Sequence, residues 1–170
     1  MLSVPESTSF TWRLSVKTAP EKPKFIIVGF QKDKDSNQTK NPSTFDHVHL
    51  KNAYVTLNSD RYPAVDYNLS SNQTFSRVCD DAALFGVKFF GMDELITQSN
   101  IIPSDYKILY LLFTFDVSKQ KEKLKSSVLD IQIQENFTAN VSANTRAFAL
   151  VISDKRLSFQ SDGNKMSVIY

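Results

Sequence analysis

A single cysteine, Cys79, in 170 residues rules out any intrachain disulfide, so the fold must be held by burial alone. That usage suits folding in a reducing compartment. Glycine is scarce, at 4 residues, and the chain has neither a phosphate-cradling Gly-rich loop nor a dinucleotide fingerprint. No apolar run approaches the roughly 18 residues that a membrane span requires. The opening residues Met1 to Ser7 lack the basic and apolar blocks of a secretory signal, so the expected location is intracellular. A formal net charge of +2 is too small to point to nucleic acid as a direct specific ligand. Nor is there a Ser/His/Asp arrangement of the kind that nucleophilic catalysis needs.

What the chain does have is phenylalanine, 13 of them, in a composition that is 41% hydrophobic and 22% charged. These are the proportions of an ordinary globular protein, and the length suits one domain over residues 1–170, with residues 1–8 expected to be flexible. Phe10, Trp12, Leu14 and Val16 alternate with polar residues, the period of a strand with one face buried. Pro20 and Pro23 are expected to break that strand from the next, Phe25 to Phe30, a continuous apolar run of the kind covered on both faces. A polar loop from Gln31 to Ser43 follows. Phe45 to Leu57 reads as one long strand whose phase changes: Val48 and Leu50 are even, Ala53, Val55 and Leu57 odd. A β-bulge near Lys51 and Asn52 would restore a single buried face.

Phe75, Val78, Cys79, Ala82, Phe85 and Phe89 recur at spacings of three and four, which predicts a helix over about residues 73–90. Ser71 or Asn72 can cap its start, and Gly91 stands where a C-terminal glycine is expected. Beyond it, one short helical turn could follow Pro103, and Ile108 to Val117 reads as a buried strand. Leu129, Ile131 and Ile133 alternate with polar residues, and Phe148, Leu150 and Ile152 are read as repeating that period. Leu157 to Phe159 and Met166 to Tyr170 form a final pair of strands around the turn Ser161 to Asn164, the last closing the sheet. Seven or eight strands with a helix in one long connection predict an all-β, two-sheet antiparallel jelly-roll sandwich. An immunoglobulin-like topology is the alternative, weakened because the chain cannot supply a Cys…Trp…Cys framework.

Several residues invite a chemical reading. His47 and His49, at i and i+2 on a strand, would point the same way and evoke a metal-binding strand. The chain has no third histidine and no carboxylate at the required spacing, so they are read instead as the polar face of a half-buried strand. Cys79 lies on the apolar stripe of the helix, where a thiol is a small hydrophobe, and Arg77 is too weak a neighbour to activate it. Lys119, Lys121, Lys123 and Lys125 are interrupted by Glu122 and lack interleaved aromatics, which suits a solvated connection. Asp33 and Asp35 imitate the start of a calcium loop without its glycine and terminal glutamate. Asp80 and Asp81 read as early-helix acids favoured by the helix dipole. Sequons at Asn37, Asn68, Asn72, Asn136 and Asn140 are expected to remain unglycosylated in a chain without an export signal. No catalytic, cofactor-binding or metal-binding residue is therefore assigned.

Several segments, taken in order, carry a family resemblance. Glu21 to Gln31 (EKPKFIIVGFQ), Ser43 to His47 (STFDH), Leu57 to Pro63 (LNSDRYP), Phe115 to Gln120 (FDVSKQ), Val128 to Ile131 (VLDI) and Phe137 to Thr145 (FTANVSANT) resemble the C-terminal jelly roll of the double jelly-roll major capsid proteins of Polinton (Maverick) elements and adintoviruses. The resemblance spans roughly Trp12 to Tyr170. It implies a structural protein with no catalytic residues to carry over, two jelly rolls per chain, three chains per capsomer, and residence in a virion. This sequence supplies only the second roll, as expected of a truncated copy, a domesticated copy or an excised piece. The surface that normally packs on the partner roll must then be covered by self-association or have become polar. The expected partner is a second copy, as a trimer, together with a second jelly-roll domain or other capsid proteins. The rival reading is a lectin-like or receptor-binding module using the loops at Gln31 to Ser43 and Asn58 to Ser71. The single tryptophan, Trp12, sits in a strand pattern and weakens its sugar-stacking version.

Overall fold

The computed structural model describes residues 1–16, 21–69, 75–91, 103–120, 129–155, 158–161, 163 and 166–169. In chain order they form strands Leu2–Ser3 (β1), Ser9–Val16 (β2), Glu21–Lys32 (β3), Leu50–Leu57 (β4) and Asp60–Tyr62 (β5). The helices Phe75–Phe90 (α1) and Pro103–Leu109 (α2) follow, then strands Leu112–Asp116 (β6), Leu129–Phe137 (β7), Thr145–Lys155 (β8), Ser158–Ser161 (β9) and Met166–Ile169 (β10). The first eight strands pair from the outside in: β1 with β8, β2 with β7, β3 with β6 and β4 with β5, all antiparallel. Pairing of β3 with β8 and of β4 with β7 then completes two four-stranded sheets, β1-β8-β3-β6 and β2-β7-β4-β5. Such nesting is a long hairpin wrapped around itself, with the chain changing sheet at every step except the β4–β5 turn. That is a jelly roll.

Inner rows of the two sheets build the core. Ile26, Val28 and Phe30 of β3 stand beside Phe113 and Phe115 of β6 and Ala147 of β8, all of them buried. Facing them are Leu50, Ala53, Val55 and Leu57 of β4 with Ile131, Ile133 and Phe137 of β7. Phe10, Trp12 and Leu14 of β2 complete that row at its half-buried edge. Phe30 and Phe137 meet edge to face across the two sheets, 5.9 Å between centroids. Each such side chain contributes roughly 1.5–3 kcal/mol by leaving water, so rows of this length hold the sandwich without a cross-link.

The bulge expected near Lys51 is present: the β4–β7 register shifts between Leu50 and Asn52. Helix α1 occupies the expected stripe, and Gly91 ends it in the left-handed region at φ 63°. Its expected caps, Ser71 and Asn72, lie outside the described residues.

Other expectations are corrected. Pro23 does not break a strand: β3 already runs at Glu21 and takes in the proline beside a register shift between Pro23 and Phe25, while Pro20 lies outside the described residues. The segment 1–8 supplies β1, and Val4, 5% exposed, reaches the core. Ile108 and Leu109 end α2 instead of opening a strand. His47, Val48 and His49 precede β4 in a turn, with φ of 42° at Val48 and 59° at His49, so strand alternation does not apply to them. In β8 the phase is reversed: Ala147, Ala149 and Val151 face inward, and Phe148, Leu150 and Ile152 outward. Beside the bulky inner residues Phe30, Phe113 and Phe115 of the same sheet, β8 thus contributes the smaller of its two rows to the core. Finally, β10 pairs with β9 alone, in a hairpin separate from both four-stranded sheets.

Candidate assembly surface

Two broad faces look outward, and they differ in chemistry. On β2-β7-β4-β5 the outer row is a polar ladder. The Arg13 guanidinium pairs with Asp130 at 2.9 Å, Gln132 donates to the same carboxylate at 2.9 Å, and Tyr54 donates to Gln134 Oε1 at 2.5 Å. Arg61 lies over the Tyr54 ring, 3.8 Å from its centroid. This face is built for water.

The outer face of β1-β8-β3-β6 is apolar along the middle strands β8 and β3, with Thr114 and Asp116 of β6 at its edge. The register aligns Phe25 with Ile152, Ile27 with Leu150, and Gly29 with Phe148 and Leu112. Phe45, arriving from the loop before β4, lies across Gly29 and against Phe148, 6.3 Å between rings. Glycine is required there, because a Cβ would stand 2.5 Å from Phe45 Cδ1 and 2.7 Å from Leu112 Cδ2. Leu150, 57% exposed, is left in solvent.

Helices α1 and α2 cover one end of this face. Phe75, Val78 and Cys79 at the start of α1 are buried. Tyr67 donates to Asp81 Oδ2 at 2.9 Å, and Lys88 reaches Asp116 of β6 at 2.5 Å. Burial would raise the Asp116 pKa, but hydrogen bonds from Lys88 and Ser118 outweigh it and hold the carboxyl below its ordinary value. Tyr106 of α2 donates to the Leu112 carbonyl, and burial pushes its hydroxyl well above the usual phenol range. Toward its C-terminus α1 runs out of sheet. Phe25 meets Phe85 at 5.0 Å, Phe85 stacks on Phe89 at 5.2 Å, and Phe89 meets Phe90 at 5.1 Å. Phe90 is 66% exposed and Phe89 nearly half, and Ile108, Leu109 and Tyr110 at the end of α2 are exposed as well. Dispersed apolar residues are normal on a surface, whereas a clustered aromatic edge is a feature that calls for a reason.

The residues with chemical possibilities do not converge. His47 is half-buried against Phe75, 5.1 Å between rings, and His49 is 6.5 Å away and exposed. Burial, helped by His49 and Lys107, holds the His47 pKa below its ordinary value. Cys79 is a buried free thiol whose pKa is raised by burial and by Asp80. Arg77 bonds the carbonyl of Val65 at 3.3 Å and lies over the Tyr67 ring. Asp33 stands 3.9 Å from Lys40, and Asp35 pairs with Arg146. Asp80 and Asp81 fall past the first turn of α1, which has no acid, so the helix-dipole reading is corrected. Trp12 faces the core row, not a loop tip. Lys119 is exposed, while Lys121, Lys123 and Lys125, like Asn72, lie outside the described residues. Among the described residues no three of His, Cys, Asp and Glu gather as a metal site, and no helix is long and apolar enough to cross a membrane.

The sequence reading missed Phe90, Leu150 and Glu135. Glu135 had a visible signal, since it takes the third place in the row Ile131, Ile133, Glu135, Phe137. No curated protein and no solved structure matches the chain. A family model does, described as a double jelly roll-like domain and aligned over residues 2–157, which takes in β1 to β8 and stops before the β9–β10 hairpin. With the eight strands nested in jelly-roll order across that same span, the chain belongs to the double jelly roll-like domain family.

Proposed function

We propose that this protein is a capsid-type structural subunit that works by self-association, with a trimer as its unit and a virion as its setting, and that its role requires no catalysis. The observation that carries this reading is the apolar outer face of β1-β8-β3-β6 with the phenylalanine edge beside it, where the opposite sheet presents a polar ladder. A sandwich needs only its inner rows to fold, so a second apolar face serves contact with another surface. Membership of the double jelly roll-like family supports the structural class. The ordered segments from Glu21 to Thr145 support the finer placement among Polinton and adintovirus capsid proteins. A second jelly-roll domain is a further partner for the same face.

Sedimentation velocity over a hundredfold concentration range, with negative-stain microscopy of the most concentrated sample, tests the reading. The expected result is a shift from monomer toward trimer, with rings or particles at the top of the range. A strict monomer throughout would sink it.

A further inference from the structure

Glu135 is 1% exposed, and neither of its carboxylate oxygens has a hydrogen-bond partner. Its place is on the inner row of β7, between Ile133 and Phe137, so the side chain enters the space between the sheets. Directly across the ladders stand Phe10 of β2 and Ala53 of β4. The remaining inner rows are Trp12 and Leu14 of β2, Val55 and Leu57 of β4, Ile26, Val28 and Phe30 of β3, Phe113 and Phe115 of β6, and Ala147, Ala149 and Val151 of β8. Thr145, next in the β8 row, gives its hydroxyl hydrogen to the Ser142 carbonyl. Lys32, beyond Phe30 at the end of β3, is the basic residue of those rows among the described residues, and it does not contribute to the state of Glu135.

A carboxylate cannot remain charged in such a place without a counter-ion or donors. Burial alone pushes the Glu135 carboxyl up from 4.5 to about 8. Near neutral pH the folded chain therefore holds the neutral acid, whereas the unfolded chain, in water, holds the carboxylate.

We propose that Glu135 is a proton-binding device inside the sandwich: the fold is built around the protonated acid, and loss of that proton loosens the packing of one sheet on the other. Below pH 4.5 both folded and unfolded chains carry the proton, and the residue costs nothing extra by ionising. Between pH 4.5 and about 8 the folded state binds one proton more than the unfolded state, so the folding constant falls by about tenfold for each unit of rising pH. Above that window the full cost applies. The subunit is thus tightened by acid and relaxed by base from a position no solvent ion can reach directly. This inference does not depend on the assembly proposal, since it is read from one chain.

Thermal and urea unfolding of the wild type, Glu135→Gln and Glu135→Met, followed from pH 4.5 to 9, supplies the test. Relative to both variants, the wild type should lose stability steadily as pH rises, and the two substitutions should help most at the alkaline end. Equal pH slopes for wild type and Glu135→Gln would overturn the proposal. Should either variant fail to fold, the infrared carbonyl band of a protonated carboxyl, sought in folded wild type at pH 7, decides the matter. Its presence, and its loss on raising the pH to 9, is expected; a carboxylate fully ionised at pH 7 contradicts the device.

Discussion

The two sheets of this sandwich share a core but not an exterior. On β2-β7-β4-β5 the strands β2, β4 and β7 follow the alternation of a half-buried strand, polar outward and, Glu135 apart, apolar inward, and the outer charges satisfy one another in water. On β1-β8-β3-β6 the middle strands are apolar on both faces, and the second face is only partly covered, by Phe45 and by α1. The difference separates what the fold needs from what it offers. One face is finished by solvent, and the other leaves Leu150 and the Phe89–Phe90 edge exposed.

The comparison breaks most severely at Phe25, the residue that joins sheet to helix. Phe25→Ala removes the ring on which Phe85 and Phe89 pack, and calorimetry should show a loss of about 3–4 kcal/mol together with reduced helical signal. A smaller loss, about 1–3 kcal/mol in urea titration, is expected of Gly29→Ala, because the new methyl must displace Phe45 or Leu112. At the surface the contrast should become one of association without stability. Leu150→Lys combined with Phe90→Ser should leave unfolding within about 0.5 kcal/mol of wild type. The same pair should suppress concentration-dependent sedimentation; unchanged association would relocate the interface.

His47 sharpens the comparison from the acid side. Its folded pKa lies below its ordinary 6.5, so the folded state binds fewer protons than the unfolded one, and stability is lost as pH falls through 6.5 and below. Melting of wild type minus His47→Gln should therefore fall on acidification, opposite in sign to the Glu135 difference. Smallest of all is Arg13→Ala on the polar face. Its ion pair with Asp130 is solvent-exposed, and a stability change beyond about 0.5 kcal/mol would mean that this face is not the wet one.

Legibility followed the strength of the local signal. The α1 stripe and Gly91, the alternation in β2 and β7, and the phase change at Lys51 each leave a mark within a few residues, and each corresponds to an observed feature. The histidine turn failed because Phe45 to Leu57 has the composition of a strand throughout, while the left-handed φ at Val48 and His49 is imposed by the approach to β4. The α2 error has a related cause, since Ile108 to Phe113 is an unbroken apolar run that does not show where helix gives way to strand. On the candidate surface, Phe85 and Phe89 were visible as part of a helical stripe, but not that Phe89 and Phe90 are left exposed at its end.

By itself the sequence determined the class: one cysteine, many aromatics and period-two segments leave burial between sheets as the means of folding, and the order of those segments carries the family. Only the tertiary structure decided which of two apolar rows on β8 turned inward, because alternation gives two faces and not their direction. It also decided that Glu135 lies without a partner, because a carboxyl's surroundings are set by strands far apart in the chain.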